Sequence, residues 1–260
     1  MTAPGDSPSG QDFFSPVASS YAEFRPVYPT GLFAWLATLT SRRQVVWDVG
    51  TGTGQAALPL TQHFEHVIAT DLSGDLLEQA PAHPRIVYRI GLAEDSGLPD
   101  NSVDLITVAQ ALHWFDLGRF YSEVRRILTP DGFIATWSYG GLQISGPQVN
   151  KVFQSFYSYT VAPYWPPERR HVESGYRSLP FPFDEIRPPH LQMVDRWPLH
   201  RLLGYCRTWS AVIRYRQTHG SDPVTLLEEE LKPIWGDPEF RRTITWPISI
   251  RAGKVASHDI

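Results

Sequence analysis

The chain contains one cysteine, Cys206, so it can close no internal disulfide and build no cysteine zinc site. It has no apolar run long enough to span a bilayer. It has no basic excess either: 23 Lys and Arg stand against 27 Asp and Glu, a net charge of -4. That balance argues against a general binder of nucleic acid or of membrane surfaces. Residues 1–12 are polar and rich in Pro, Gly and Ser, without the basic and apolar regions of a signal peptide. They are expected to form a disordered tail. The expected location is the cytoplasm, with no membrane partner. At 260 residues and 42% apolar content the rest, 13–260, is expected to be a single domain.

What is present is unevenly spread. Between Val45 and Asp116 there are ten acids and two basic residues, Arg85 and Arg89. Between Glu168 and His219 there are nine arginines, five acids and four histidines. The first segment disfavours a polyanionic ligand. The second suits an anionic one, or is an ordinary solvated surface with a few ion pairs.

The stretch Val45-Val46-Trp47-Asp48-Val49-Gly50-Thr51-Gly52-Thr53-Gly54-Gln55 organises the rest. An apolar run ends in an acid, passes into a loop with glycine at every second position, and continues into helix-forming residues. Strand, glycine turn and helix together present bare backbone and a helix N-terminus to a nucleotide-like ligand. The dinucleotide pattern G-x-G-x-x-G would need glycine where Gln55 stands. Asp48 would also be misplaced beside a pyrophosphate, but could accept from the ammonium group of an amino acid ligand. The alternative is a glycine-rich turn with no ligand.

Further strands follow. His66–Asp71 again ends in an acid, 21 residues after Gly50, where a ribose-binding carboxylate belongs. Asp71 could equally cap the next helix. Arg85–Arg89, Val103–Ala109 and Phe133–Trp137 read as the third to fifth strands, and Gln55–Phe64 and Leu117–Leu128 as helices between them. The alternation predicts an α/β fold: a doubly wound, mostly parallel sheet, with Ile244–Ile250 as an antiparallel edge strand. Val149–Tyr159, Leu199–Arg216 and Pro223–Ile234 read as helices, and Ala162–Pro189 as a packed stretch of proline and aromatics. Segments 140–189 and 199–240 are expected to form a helical and Pro-aromatic cap over the C-terminal sheet edge, where open α/β sheets bind ligands.

At these residues the chain resembles the class I S-adenosylmethionine-dependent methyltransferases. DVGTGTGQ, Asp71 and the AED at 93–95 resemble their first three motifs. The run DLITVAQALHWFD with LTPDGFIATW resembles the small-molecule branch labelled methyltransferase type 11. Tyr21 to Pro29 and Arg207 to Ala211 are similar to trans-aconitate methyltransferase-like proteins. The resemblance implies a Rossmann-like fold and the cofactor S-adenosylmethionine, leaving as S-adenosylhomocysteine. Asp48, Gly50, Thr51, Gly52 and Gln55 would hold the methionine part. Asp71 would take the ribose hydroxyls, Leu72 the adenine face, and Ala93 and Glu94 the adenine edge. Gln110 would line the site beside the sulfonium.

His113 is then the best-placed base, with Tyr21 and His171 behind it, although a histidine there can also be a packing group. Arg25 and Arg207 are candidate clamps for an acceptor carboxylate. The expected acceptor is a small molecule, with carboxylates among its possible classes. No metal and no nucleic acid are expected, and the chain would act as a monomer or homodimer. Three alternatives stand beside this: an NAD-dependent oxidoreductase, a methyltransferase acting on tRNA or another macromolecule, and a cofactor-binding protein without turnover.

Overall fold

The computed structural model describes residues 24–255. The expected tail 1–12 and Tyr21 lie outside the described residues. Five strands form the parallel part of one sheet: β1 Val45–Val49, β2 His66–Asp71, β3 Ile86–Ile90, β4 Val103–Ala109 and β5 Leu128–Tyr139. Their order is β3-β2-β1-β4-β5, so the winding reverses at β1, between β2 and β4. That reversal opens the crevice in which doubly wound sheets bind ligands.

Four more strands complete the sheet: β6 Gln143–Ile144, β7 Asp184–Ile186, β8 Leu191–Trp197 and β9 Arg242–Lys254. The expected antiparallel strand is β9, which runs against β5 from Phe133↔Lys254 to Tyr139↔Ile248. It is longer than the sequence suggested, because β6, β7 and β8 also pair with it.

Alternating side chains feed two cores. Val46, Leu105 and Ala135 belong to one cluster; their neighbours Trp47, Ile106 and Ile134 belong to the other. All six are fully buried, which is why these strands read as continuous apolar runs rather than as alternating ones. The helix Leu117–Ile127 covers one face with Phe120, Val124 and Ile127. Asp116 starts it by accepting from the N–H groups of Gly118 and Arg119 at 3.1 and 3.2 Å.

Two helices depart from expectation. The predicted Gln55–Phe64 helix is α-helical only over Ala57–Leu60. Pro59 has no N–H with which to bond the carbonyl of Gln55, and tighter turns follow. The predicted Leu199–Arg216 helix is two helices, Leu199–Arg207 and Ser210–His219. Thr208 turns its hydroxyl back to the Tyr205 carbonyl at 2.7 Å, and Trp209 takes an extended conformation. The break inserts the Trp209 ring among Phe153, Tyr157, Trp165 and Tyr205, at centroid distances of 5.5 to 6.0 Å. Among the described residues no helix is long and apolar enough to cross a membrane.

At the end of the sheet away from the glycine loop, Asp104 is 2% exposed and accepts from the N–H groups of Gln44 and Val45 at 2.9 and 3.1 Å. These bonds fix where β1 begins relative to β4. Asp104→Ala should leave both donors unpaired and lower stability by about 2–3 kcal/mol, read as a shift in urea midpoint. A loss below about 0.5 kcal/mol would mean that water replaces the carboxylate without cost.

Candidate active site

The glycine loop follows β1 and is tied to the strands on either side. Asp48 is wholly buried. One of its oxygens accepts from the Thr107 hydroxyl on β4 at 2.7 Å, the other from the Thr51 hydroxyl of the loop. The Thr51 N–H reaches back to the Thr70 carbonyl of β2 at 3.0 Å. Burial pushes the Asp48 carboxyl up to about 6; the two hydroxyls oppose that shift and Asp71 adds to it. Both oxygens face threonine hydroxyls, so the acid holds the loop in place.

The three loop glycines are needed for different reasons. A Cβ on Gly50 would lie 2.5 Å from the Cβ of Ala111, and one on Gly54 would lie 2.6 Å from the Tyr88 hydroxyl. Those two glycines admit neighbouring protein. Gly52 has φ +56, and a Cβ there would meet no atom within 4 Å, so of the three it alone borders open space. Its N–H donates to Asp71 Oδ2 at 2.8 Å, and the N–H of Ser73 donates to Oδ1 at 2.9 Å. Asp71 thus joins the glycine loop to the turn that opens the next helix. Gln55 is half-buried at the loop's end.

Around Asp71 the surface is apolar. Leu72 is 61% exposed, Ile90 69% and Leu92 47%. Ala93 is buried, and Glu94 Oε1 accepts from the Asp116 N–H at 2.8 Å. Glu94 thereby ties the post-β3 loop to the start of the Leu117–Ile127 helix.

Gln110 follows β4 with φ 60, a conformation that costs a non-glycine residue energy and often marks a site. Its N–H donates to the Trp137 carbonyl at 2.9 Å and its Nε2 to the Tyr139 carbonyl at 2.7 Å. It lines a cavity of about 80 Å³ together with Arg25, His113, Tyr139, Tyr157, Trp165 and Arg169. Arg25 Nη1 donates to the Tyr139 hydroxyl at 3.4 Å and the guanidinium lies 5.7 Å from the Tyr205 ring centre. The His113 ring is held down to about 3, by burial first and then by Arg169 and His171, so it is neutral throughout the physiological range.

Two expected groups lie elsewhere. Arg207 pairs with Asp222 at 2.9 Å and Glu228 at 3.6 Å and does not line the cavity. Asp222 caps and Glu228 lies within the helix Pro223–Trp235, and these acids neutralise Arg207, which disfavours it as a clamp. His171 Nδ1 lies 2.8 Å from the Ser178 hydroxyl, also outside the lining. The sequence reading missed Thr107, Tyr139, Arg169 and Tyr205. The excess of arginine after Glu168 was the only available sign of Arg169.

A methyltransferase domain family matches residues 47–136. A Dictyostelium discoideum protein named as a methyltransferase is 32% identical over 235 residues, covering 89% of each chain. The chain belongs to the class I S-adenosylmethionine-dependent methyltransferases. A solved structure described as a type II methyltransferase, from Anaeromyxobacter dehalogenans, shares 47% identity with this methyltransferase. It covers 89% of this chain and 98% of its own, with a TM-score of 0.84. An uncharacterized Mycobacterium tuberculosis methyltransferase is 39% identical over 120 residues, spanning 46% of this chain and about half, 49%, of its own. The fold is accordingly Rossmann-like, and the oxidoreductase alternative falls.

The residues fit the family's cofactor. Open space at Gly52, the carboxylate of Asp71 and the exposed apolar surface of Leu72 and Ile90 form one continuous strip along the ends of β1, β2 and β3. Gly52→Val should cost about 1–2 kcal/mol of stability through its positive φ. It should abolish S-adenosylhomocysteine binding in calorimetry, because the side chain enters the open space; unchanged affinity would assign the loop a structural role only.

Asp48 supplies a pH test. Its raised pKa means that its stabilising share is present below about pH 4 and lost as pH rises through about 6. Asp48→Asn lacks that loss. Its stability relative to wild type should improve by about 3 kcal/mol between pH 4 and pH 7 in urea titrations. That figure follows from a carboxyl raised from 3.8 to about 6, each tenfold change in proton affinity being worth about 1.4 kcal/mol. No change with pH would show the carboxylate to be better solvated than its burial implies.

Proposed function

We propose that this methyltransferase esterifies the carboxylate of a small organic acid, with Gln110, Arg25 and His113 lining the acceptor's place. One observation supports it above the rest: among the described residues, those lining the cavity include two guanidiniums, Arg25 and Arg169, and no carboxylate. Such a lining attracts an anion and repels an ammonium acceptor. It also lacks a proton acceptor of useful strength, since His113 is held near 3 and the Tyr205 hydroxyl is pushed well above its ordinary range by burial.

The bound cofactor supplies a methyl group already activated by the sulfonium charge. Asp71 and the Gly52 backbone would hold its ribose and methionine portions, with Leu72 against the adenine. What remains for the protein is alignment and exclusion of water. A hydroxyl or amine acceptor would have to lose a proton to some base. A carboxylate arrives ionised, and its conversion to an ester leaves no proton to remove. His113 then serves as an orienting group rather than as a base. Tyr21, expected beside it, lies outside the described residues. The small cavity, about 80 Å³, favours a small molecule over tRNA or another macromolecule.

The test is a panel of small organic acids with S-adenosylmethionine, read by mass spectrometry for the methyl ester. For an accepted acid, kcat/KM should stay flat within about twofold from pH 7 to pH 9, because no group required for proton removal titrates there. A rise approaching tenfold per pH unit, or turnover of alcohols or amines in preference to acids, would overturn carboxylate methylation.

A further inference from the structure

The inserted segment between β6 and β7 carries polar groups that neither the glycine loop nor the strand ends account for. Arg169 sits in the short helix Arg169–Glu173, and its guanidinium stacks 4.3 Å from the Trp165 ring centre. Its Nη2 donates to the Tyr157 hydroxyl at 2.9 Å. Glu173 Oε1 is 3.7 Å from Nε, too far for a hydrogen bond, and Nε is buried without a partner. A guanidinium has five N–H donors, and one hydrogen bond from Arg169 is formed among the described residues. The side chain is 19% exposed and lines the cavity. Stacking and the Tyr157 bond fix its plane, which prepares it for an oxyanion.

His113 adds a second donor. Its Nδ1 lies 3.0 Å from the hydroxyl of Tyr176, a wholly buried residue with φ 62. A phenol hydrogen directed at His113 Nδ1 places the imidazole proton on Nε2. Nε2 has no hydrogen-bond partner among the described residues, and the ring lines the same cavity as Arg169. A tyrosine kept in a left-handed backbone conformation, at a cost of about 1–3 kcal/mol, is consistent with a fixed task for its side chain.

We infer that the segment from Tyr157 to Tyr176 builds an anion seat, in which Arg169 and the Nε2–H of His113 receive the acceptor's carboxylate. Trp165 and Trp209 flank the acceptor's flat apolar frame, and Tyr176 is a positioning residue that sets the tautomer of His113. This deepens the carboxylate reading and rests on it for the identity of the anion. Two donors leave lone pairs free on a carboxylate for the transferred methyl group. Arg169 is thereby a specificity-determining residue for acids over neutral isosteres.

The test uses full-length protein saturated with S-adenosylhomocysteine, and benzoate and benzamide as charged and neutral probes of one shape. Calorimetry should show benzoate binding about tenfold or more tighter than benzamide. Arg169→Met should erase that preference and Arg169→Lys restore part of it, with S-adenosylhomocysteine affinity unchanged in both. Tyr176→Phe should weaken benzoate about three- to fivefold and shift the His113 ring nitrogens, in 15N spectra, from a single Nε2–H form to a mixture. Should that variant fail to fold, His113→Gln, which keeps a donor near the Nε2 position, should retain benzoate better than His113→Phe. Equal binding of the two probes, failure of millimolar benzoate to bind wild type, or a preference untouched by Arg169→Met would overturn the seat. Benzoate held through Arg169 while no acid is esterified would keep the seat and overturn carboxylate methylation.

Discussion

A buried carboxylate with no cation beside it holds the centre of this molecule. Asp48 sits on β1 where the strand order reverses, and hydroxyls from the glycine loop and from β4 satisfy its oxygens. Without the Thr51 contact the loop would lose its anchor at the first residue after Gly50. Without Thr107 an acid in the middle of the sheet would lack a partner on the β4 side. Hydroxyl donors suit this place because they add no charge: an arginine or lysine here would fill the crevice and repel a cationic sulfonium. The result is a loop whose one open position, Gly52, faces the strip formed by Asp71 and Leu72.

That arrangement fixes the glycine loop and leaves the cavity to be lined by other parts of the chain. Gln110 and His113 reach the cavity from the end of β4, and Tyr139 from the end of β5. Arg25 comes from before the sheet; Tyr157, Trp165 and Arg169 come from the insertion; Tyr205 and Trp209 come from the paired late helices. The elements that meet around the cavity are thus distant in sequence and joined mainly by aromatic packing. Such a pocket can change its specificity by substitution in the insertion while Asp48 and the glycine loop stay as they are.

The strand, glycine loop and second acid were legible in the sequence because local chemistry dictates them. A strand ending in Asp48, a loop of alternating glycines and a second acid at Asp71 are constraints within 25 or so residues, and the family match covers that same region. The long-range ties inside it were less legible. The sequence does not show that Thr107, 59 residues on, turns its hydroxyl to Asp48. Nothing local shows the bond between Glu94 and the Asp116 backbone. Helix ends failed where a single residue decides: Pro59 shortens the first helix, and Thr208 with Trp209 divides the late one.

The acceptor half was illegible for a different reason. Arginine is common on surfaces, and composition cannot distinguish Arg207, neutralised by Asp222 and Glu228, from Arg169, stacked on Trp165 at the cavity wall. What separates them is the distance to an acid. A carboxylate within hydrogen-bonding reach consumes a guanidinium's donors; one at 3.7 Å, as Glu173 is from Arg169, shares its charge but leaves most of its donors to a ligand. The same reasoning decides between base and donor at His113. An imidazole among carboxylates would gain a proton and basicity, whereas this one is buried near Arg169 and His171, 3.0 Å from a phenol oxygen, and stays neutral.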